Sequence, residues 1–359
     1  MIGHHEARRQ IARAIRDHRL PHVILVTGPE GVGKQRFGLW VAQRLLCEHP
    51  GDVEPCGECR TCHLVLSLGH PDVHWFVPIP VPKAAEPDKQ VEEAAETLAD
   101  VMNERRAKPL YPRPDGMAAH SMASARLLQR RASLTPVEGR WKVFLVGDAE
   151  RLVPQESSPH AANALLKLLE EPPADTIFLL TAADRQALLP TIVSRAVPLR
   201  LHRLADDEVR AFLAERLHPP LTGRELDARV EQARGVIGRV ILGEPGDAKA
   251  RQSAQALLEA VAAGRGPRLE RALQQGAWQA RGEFSTMLDA LSDVLSQAAR
   301  EAAQGRPAAA LPPALRRRSH PLRLARALER VAAAREAAQG NVNPQLLLAV
   351  LGEELAEAL

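Results

Sequence analysis

A short apolar run, His22–Thr27 (HVILVT), leads straight into Gly28-Pro29-Glu30-Gly31-Val32-Gly33-Lys34-Gln35, and residues 33–46 then carry a helical period. Strand, glycine-rich turn and helix in that order leave few folds open to the chain. The strand is β-branched and apolar along its length, which suits a parallel strand buried on both faces. The glycines let successive backbone N–H groups turn inward, the following helix adds the positive end of its dipole, and Lys34 reaches toward the same point. Residues Gly28, Pro29, Glu30, Gly31, Val32, Gly33, Lys34 and Gln35 are therefore read as a phosphate-binding loop. Such a loop ordinarily places a Ser or Thr hydroxyl after the lysine to hold Mg²⁺, and Gln35 stands there instead.

Further short apolar segments follow at Trp141–Asp148 (WKVFLVGD), Thr176–Ala182 (TIFLLTA) and Val197–Leu201 (VPLRL), separated by helical patterns at 122–131 and 161–169. Strands alternating with helices predict an α/β fold, a parallel sheet with helices on both faces. Beyond Asp206 the strand patterns cease. The expected division is 1–203 for the nucleotide-binding-like α/β domain, 204–246 for a small helical unit, and 247–359 for an all-helical domain, with Gly243-Glu244-Pro245-Gly246 as linker. In that last domain Leu288, Leu291, Leu295, Leu322, Leu324, Leu328 and Val331 are spaced for burial against other helices. Residues 78–120 hold seven prolines and one helical period around Val91–Met102, and read as a surface insertion.

The strand at 143–146 ends in Gly147-Asp148-Ala149-Glu150. An NTPase needs an Asp for the metal and a neighbouring Glu to polarise the attacking water. Asp148 suits the first task, Ala149 stands where the Glu is needed, and Glu150, one residue on, is expected to point elsewhere. The four cysteines, Cys47, Cys56, Cys59 and Cys62, lie in a C-x8-C-x2-C-x2-C pattern. The start of the chain, MIGHHEARRQ, has no apolar export segment, so structural Zn²⁺ held by four thiolates is expected rather than a disulfide framework. With four thiols available, neither His49 nor His63 is needed, and His70 and His74 read as a turn and a strand start.

Composition narrows the function. A formal charge of +3 and only six Phe, four Trp and one Tyr disfavour a chain that lives on nucleic-acid charge or base stacking. No apolar run approaches the ~18–20 residues of a membrane span, so no membrane association and a cytoplasmic location are expected.

Taken in order, these motifs resemble the clamp-loader subunits of bacterial DNA polymerase III, the delta-prime branch most of all. The resemblance spans nearly the whole chain apart from 78–120. It rests on the phosphate loop, the cysteine spacing, His70-Pro71-Asp72, Asp148-Ala149-Glu150, Asn163-Ala164-Leu165-Leu166-Lys167, and Leu169-Glu170-Glu171-Pro172-Pro173. Thr191-Ile192-Val193-Ser194-Arg195 is similar to the family's Ser-Arg-Cys motif, with Ala196 in place of Cys, and Asn341-Val342-Asn343-Pro344 to its collar turn.

The resemblance implies a AAA+ module with a lid and an oligomerising collar, in a five-membered ring that loads the sliding clamp on primer–template DNA. It implies ATP or ADP as nucleotide, and other clamp-loader subunits (gamma/tau and delta) as partners. It maps a trans-acting arginine finger to Arg195 and two nucleotide sensors to Thr181 and Arg239. Gln35 and Ala149 depart from the motor subunits, which implies a stator that need not hydrolyse ATP itself, polymerase activity lying in another subunit. The alternatives are an active gamma/tau-like ATPase and, from another class, a stand-alone zinc-dependent DNA-binding protein, which the near-neutral charge and scarce aromatics oppose.

Overall fold

The computed structural model describes residues 1–107, 118–152, 160–216, 222–241, 245–275, 281–317, 319–338 and 342–359. They form two compact units, Met1–Leu242 and Gly243–Leu359.

The first unit is built on five parallel strands: β1 (Val23–Thr27), β2 (Val73–Phe76), β3 (Lys142–Val146), β4 (Thr176–Ala182) and β5 (Val197–Arg200). Their order is β2-β3-β4-β1-β5, with helices on both faces, as the alternation of apolar runs and helical periods predicts. Every residue of β3 and β4 is buried, and so are Val23 to Val26 of β1. Burial on both faces explains why these strands read as unbroken apolar runs. Phe144 stacks on Phe178 across β3 and β4 with ring centroids 5.2 Å apart. At the edge, β5 buries only Leu199.

The strand order positions the site. β4 lies between β1, which feeds the phosphate loop, and β3, which ends beside Asp148. In open α/β sheets ligands bind beyond the carboxyl ends of the strands. Thr181, opposite Val26 near the end of β4, thus stands between the loop and Asp148.

The described residues of 78–120 are not a surface appendage. The helix Pro87–Ala107 buries Val91, Ala94 and Leu98 in the main core, and Ile79 pairs with Ala119 in an antiparallel bridge. The helical period expected around Val91–Met102 is thus present, but its helix extends further at both ends and its face is buried in the core. Residues 108–117, which hold three of the segment's prolines, lie outside the described residues.

Also in this unit, the helices Asp206–Arg216, Gly223–Ala233 and Gly238–Ile241 enclose a small core of Leu204, Val209, Leu213, Leu226, Val230, Ala233 and Val240. The expected linker is only partly described: Pro245 and Gly246 open the helix Pro245–Ala263, proline being well suited to a first helical turn.

The second unit is helical throughout its described residues: Pro245–Ala263, Arg265–Leu273, Arg281–Ala303, Pro313–Arg316, Pro321–Ala337 and Pro344–Ala358. Leu257, Leu258, Leu288, Leu291, Leu295, Leu324, Val331, Leu348, Leu351 and Leu355 form its core. Leu322, expected to be buried, is 67% exposed because it sits in the first turn of its helix, two residues from buried Leu324 and so on another face. Leu328 is half-buried. Asn343 caps the last helix, its Oδ1 accepting from the Gln345 amide at 2.9 Å, and Pro344 fills the first helical position. Asn341 of the same motif lies outside the described residues.

His70-Pro71-Asp72 is a structural turn. Asp72 donates its amide to His70 Nδ1, while its carboxylate accepts from the amides of Val137, Glu138 and Gly139 at 2.6, 2.8 and 2.8 Å. Burial pushes the Asp72 carboxyl up, but the three amide donors outweigh it and hold its pKa below the ordinary value. The stabilisation is therefore present above the unfolded pKa and is lost as pH falls through the folded one. Asp72→Ala is expected to lower the unfolding free energy by about 2–3 kcal/mol near neutrality, since it orphans three donors. In urea unfolding the deficit should shrink below roughly pH 4; a deficit that is absent at neutrality, or independent of pH, would contradict this role.

Candidate functional site

The loop after β1 is held by backbone alone at two points. Gly28 has φ +151°, and a Cβ there would stand 2.4 Å from the Leu201 carbonyl oxygen, so no other residue fits without movement. The Gly238 amide donates to the Gly31 carbonyl at 3.0 Å, and a Cβ on Gly238 would meet Gly31 Cα at 2.6 Å. The helix Gly238–Ile241 thus rests directly on the loop, which holds the backbone of Arg239 beside it. His4 Nε2 lies 3.0 Å from the Val32 carbonyl oxygen on the loop's other flank.

Lys34 begins the helix Lys34–Leu46 and is almost fully buried, its Nζ donating to the carbonyls of Gly28 at 2.9 Å and Pro29 at 3.1 Å. Burial lowers its pKa, and the nearby charges of Asp148 and Glu150 oppose that shift. The loop glycines, the lysine and the acidic turn after β3 are therefore brought to one place.

Asp148 leaves β3 with φ +51°, and its amide donates to Thr181 Oγ1 at 3.1 Å. Gln35 Nε2 donates to Asp148 Oδ2 at 3.1 Å, and Gln35 Oε1 accepts from Arg105 Nη1 at 3.2 Å. A Mg²⁺ ion in such a loop would use an oxygen at the Gln35 position and the Asp148 side. The Gln35 oxygen already accepts from the Arg105 guanidinium, and Asp148 Oδ2 from the Gln35 amide. These residues do not fit the ion.

Glu150 departs from expectation. The 3₁₀ turn Ala149–Leu152 buries Ala149 and turns Glu150 back toward the site, where Oε1 accepts from the Ala183 amide at 3.2 Å. Its Oε2 is buried without a hydrogen-bond partner among the described residues. Burial raises its pKa, with the Asp148 charge acting in the same direction and the Lys34 charge against it. The positive φ of Asp148 changes the direction of the chain, which a count along the strand cannot foresee.

Two site residues lie in the segment read as an insertion. His120, buried, donates from Nε2 to the Gly147 carbonyl at 2.7 Å; Arg105 holds Gln35. Arg105 was legible in principle, since it follows Val91 and Leu98 at seven-residue intervals on the buried helix face. No motif marks His120.

Arg195 sits after the short helix Pro190–Val193. It donates to Glu170 Oε2 at 2.9 Å and to the Thr191 carbonyl at 2.9 Å, so its contacts are with the neighbouring loop and helix end rather than with the phosphate loop. Its side chain is 28% exposed, and an exposed pair of this kind contributes little stability.

The four cysteines converge. Cys47 ends the helix Lys34–Leu46, Cys59 caps the helix Arg60–Leu66, and Cys62 lies in that helix's first turn. Their sulfurs lie within 4.8 Å of one another, with Cys47–Cys56 at 3.4 Å and Cys47–Cys59 and Cys56–Cys62 each at 4.0 Å. Thiolates about 2.3 Å from a tetrahedral centre stand roughly 3.8 Å apart, so the set fits a four-sulfur metal site with no open position. The amides of Cys56, Cys59 and Cys62 donate to Cys47, Cys56 and Cys59 Sγ, and the Cys59 amide, with that of Glu58, pulls the Cys56 thiol down to about 6. Neither His70, whose Nδ1 accepts from Asp72, nor His74, packed on Phe144 with centroids 4.8 Å apart, joins the set.

A family model described as DNA polymerase III, delta subunit, matches residues 3–205. The chain belongs to this clamp-loader family. Among its relatives are the delta' subunit of Bacillus subtilis DNA polymerase III, 29% identical over 213 residues (59% of this chain, 52% of that one), and the Pseudomonas aeruginosa delta' subunit, 34% identical over 176 residues (49% and 42%). The tau/gamma subunit of Haemophilus influenzae is 29% identical over 240 residues, 67% of this chain and 29% of that one. The chain thus spans about half the length of these relatives or less. A solved gamma-subunit-related protein of Thermotoga maritima aligns over 98% of this chain and 99% of its own at 15% identity, with a TM-score of 0.43. Among the described residues no helix is long and apolar enough to cross a membrane.

Proposed function

We propose that this chain is a delta-prime-like stator of the DNA polymerase III clamp loader. It assembles with gamma/tau and delta subunits, and the ring places the sliding clamp on primer–template DNA. The observation that carries the reading is the Gln35–Asp148 hydrogen bond, which engages the metal-binding carboxylate of an otherwise well-formed phosphate loop. Ala149, buried where a water-polarising carboxylate is needed, supports it. Nucleotide can still be drawn to Lys34 and the loop amides, with Thr181 and Arg239 beside them, but turnover lacks two of its groups.

In this reading the chain's contribution to ATP hydrolysis is Arg195, offered to the nucleotide of a neighbouring subunit. A planar guanidinium at a developing phosphoryl charge supplies the stabilisation a motor site needs. The Glu170 partner holds the side chain at a partly exposed position until a neighbour docks. Assembly draws support from the second unit, where Leu269 and Leu273 on one helix and Leu346 and Val350 on another, packed against it, are exposed. A specific observation favours the rival motor reading: the Glu150 carboxylate is turned toward Lys34 and Asp148. It approaches from the turn after β3 rather than from the residue next to Asp148, and the metal site is still engaged.

The four cysteines would hold one structural zinc, tying the end of the helix Lys34–Leu46 to the helix Arg60–Leu66. Elemental analysis of chain purified without added metal is expected to give about one zinc per chain, released as pH falls and the thiolates protonate. Folded, metal-free chain with four titratable thiols would overturn the assignment.

In a reconstituted loader, Arg195→Ala should change this chain's stability by less than about 1 kcal/mol and leave assembly intact. It should cut clamp-loading and ATPase rates by tenfold or more at the facing site, on the scale of about 10³-fold known for trans arginines, with Arg195→Lys little better. Normal loading by both variants would make Arg195 a structural residue.

A further inference from the structure

We infer that Arg105 and Gln35 stand in for the divalent cation of this phosphate loop, so that the site takes no Mg²⁺ with a nucleotide and handles any phosphate ligand in its metal-free form. The inference deepens the stator reading and rests on the same site geometry. It names the residue that excludes the ion, Arg105, which no motif of the loop contains.

The three side chains form one chain of charge-assisted contacts. Arg105 Nη1 donates to Gln35 Oε1 at 3.2 Å, and Gln35 Nε2 donates to Asp148 Oδ2 at 3.1 Å. The amide has a single workable orientation: turned over, it would set its oxygen against the carboxylate and its NH₂ against the guanidinium. Gln35 is therefore an adaptor, passing the positive charge of Arg105 to the carboxylate that a metal would otherwise neutralise.

Arg105 is built into this position. It is 6% exposed, at the end of a helix whose Val91, Ala94 and Leu98 anchor it in the core. Its guanidinium lies 4.5 Å from the ring centroid of Trp75, itself buried on β2. A buried cation of this type needs both an aromatic face and a hydrogen-bond acceptor, and it has them. On the other side Gln35 is packed against the backbone: a Cβ on Gly147 would meet its amide atoms at 2.8 Å. The glutamine has little room to swing aside.

The consequence for a metal is direct. Mg²⁺ requires oxygens at about 2.0–2.1 Å in near-octahedral array and gives up its waters reluctantly. The Gln35 oxygen is the one atom after Lys34 that could serve it, and that oxygen faces a guanidinium which stays protonated at any physiological pH. A dication placed there would be repelled by a charge that no chelator removes. Phosphate attraction by Lys34 and the loop amides needs no metal and is left in place.

The test uses the full-length chain alone, so its outcome is separate from the behaviour of the assembled loader, where failure of the stator reading would be seen. Binding of fluorescently labelled ADP is measured with and without Mg²⁺, in buffer freed of divalent ions by resin so that the cysteine cluster is left undisturbed. Mn²⁺ with ADP is followed in parallel by its electron paramagnetic resonance signal. For the wild type, Mg²⁺ should change affinity by less than about twofold, or binding should be undetectable in both buffers, and the chain should not perturb the Mn²⁺–ADP signal. Gln35→Thr/Arg105→Ser, which supplies the hydroxyl and removes the cation, should bind ADP at least about tenfold more tightly with Mg²⁺ than without. Where that variant does not fold, Gln35→Thr with Arg105 retained is read instead, with a smaller gain in the same direction. Arg105→Lys, which keeps a charge, should gain no metal dependence. A tenfold effect of Mg²⁺ on the wild type, or a folded Gln35→Thr/Arg105→Ser variant that gains none, would overturn the inference.

Discussion

A single hydrogen bond, from the Gln35 amide to the Asp148 carboxylate, spans the gap between the phosphate loop and the end of β3. A Ser or Thr at position 35 would be two or more atoms shorter than the distance this amide bridges. It would leave the space between them to an ion and its waters. With glutamine the gap is closed by protein, and the charge balance comes from Arg105, carried in on a helix outside the strand–loop–helix unit. Lys34 stays buried against the loop carbonyls while the Gly238 amide donates to Gly31. The loop thus keeps its phosphate-cradling shape, supported from within the chain.

That shape persists because the surrounding framework is rigid. β1, β3 and β4 are buried on both faces, and Asp72 fixes the approach to β3 through three amides. The cysteine cluster pins the far end of the helix that carries Lys34 and Gln35. Arg195, just before the edge strand β5, is partly exposed and paired with Glu170.

The architecture was legible because burial on both faces leaves an unmistakable trace: β1, β3 and β4 are apolar at every or nearly every position. The phosphate loop and the cysteines were legible because their chemistry fixes residue type and spacing together. Glu150 was misjudged because the positive φ of Asp148 is a property of the turn and has no residue signature; aspartate adopts it far less readily than glycine. Arg105 and His120 went unseen because 78–120 was read as a surface insertion and its helical period was followed only from Val91 to Met102. Extending that period by one more heptad would have placed a guanidinium in the core, where it requires an acceptor. Leu322 was misplaced because it stands two residues from Leu324, a spacing that puts the two on different faces of one helix.

The central claim is that this chain has the phosphate loop of an NTPase without the means to turn nucleotide over. Steady-state ATP hydrolysis by the purified chain, free of motor subunits and compared with its Lys34→Ala variant, tests it most directly. The two proteins should hydrolyse ATP at rates equal within error and at the background of the assay. A rate for the wild type well above that background, abolished by Lys34→Ala, would contradict it and make this chain a motor.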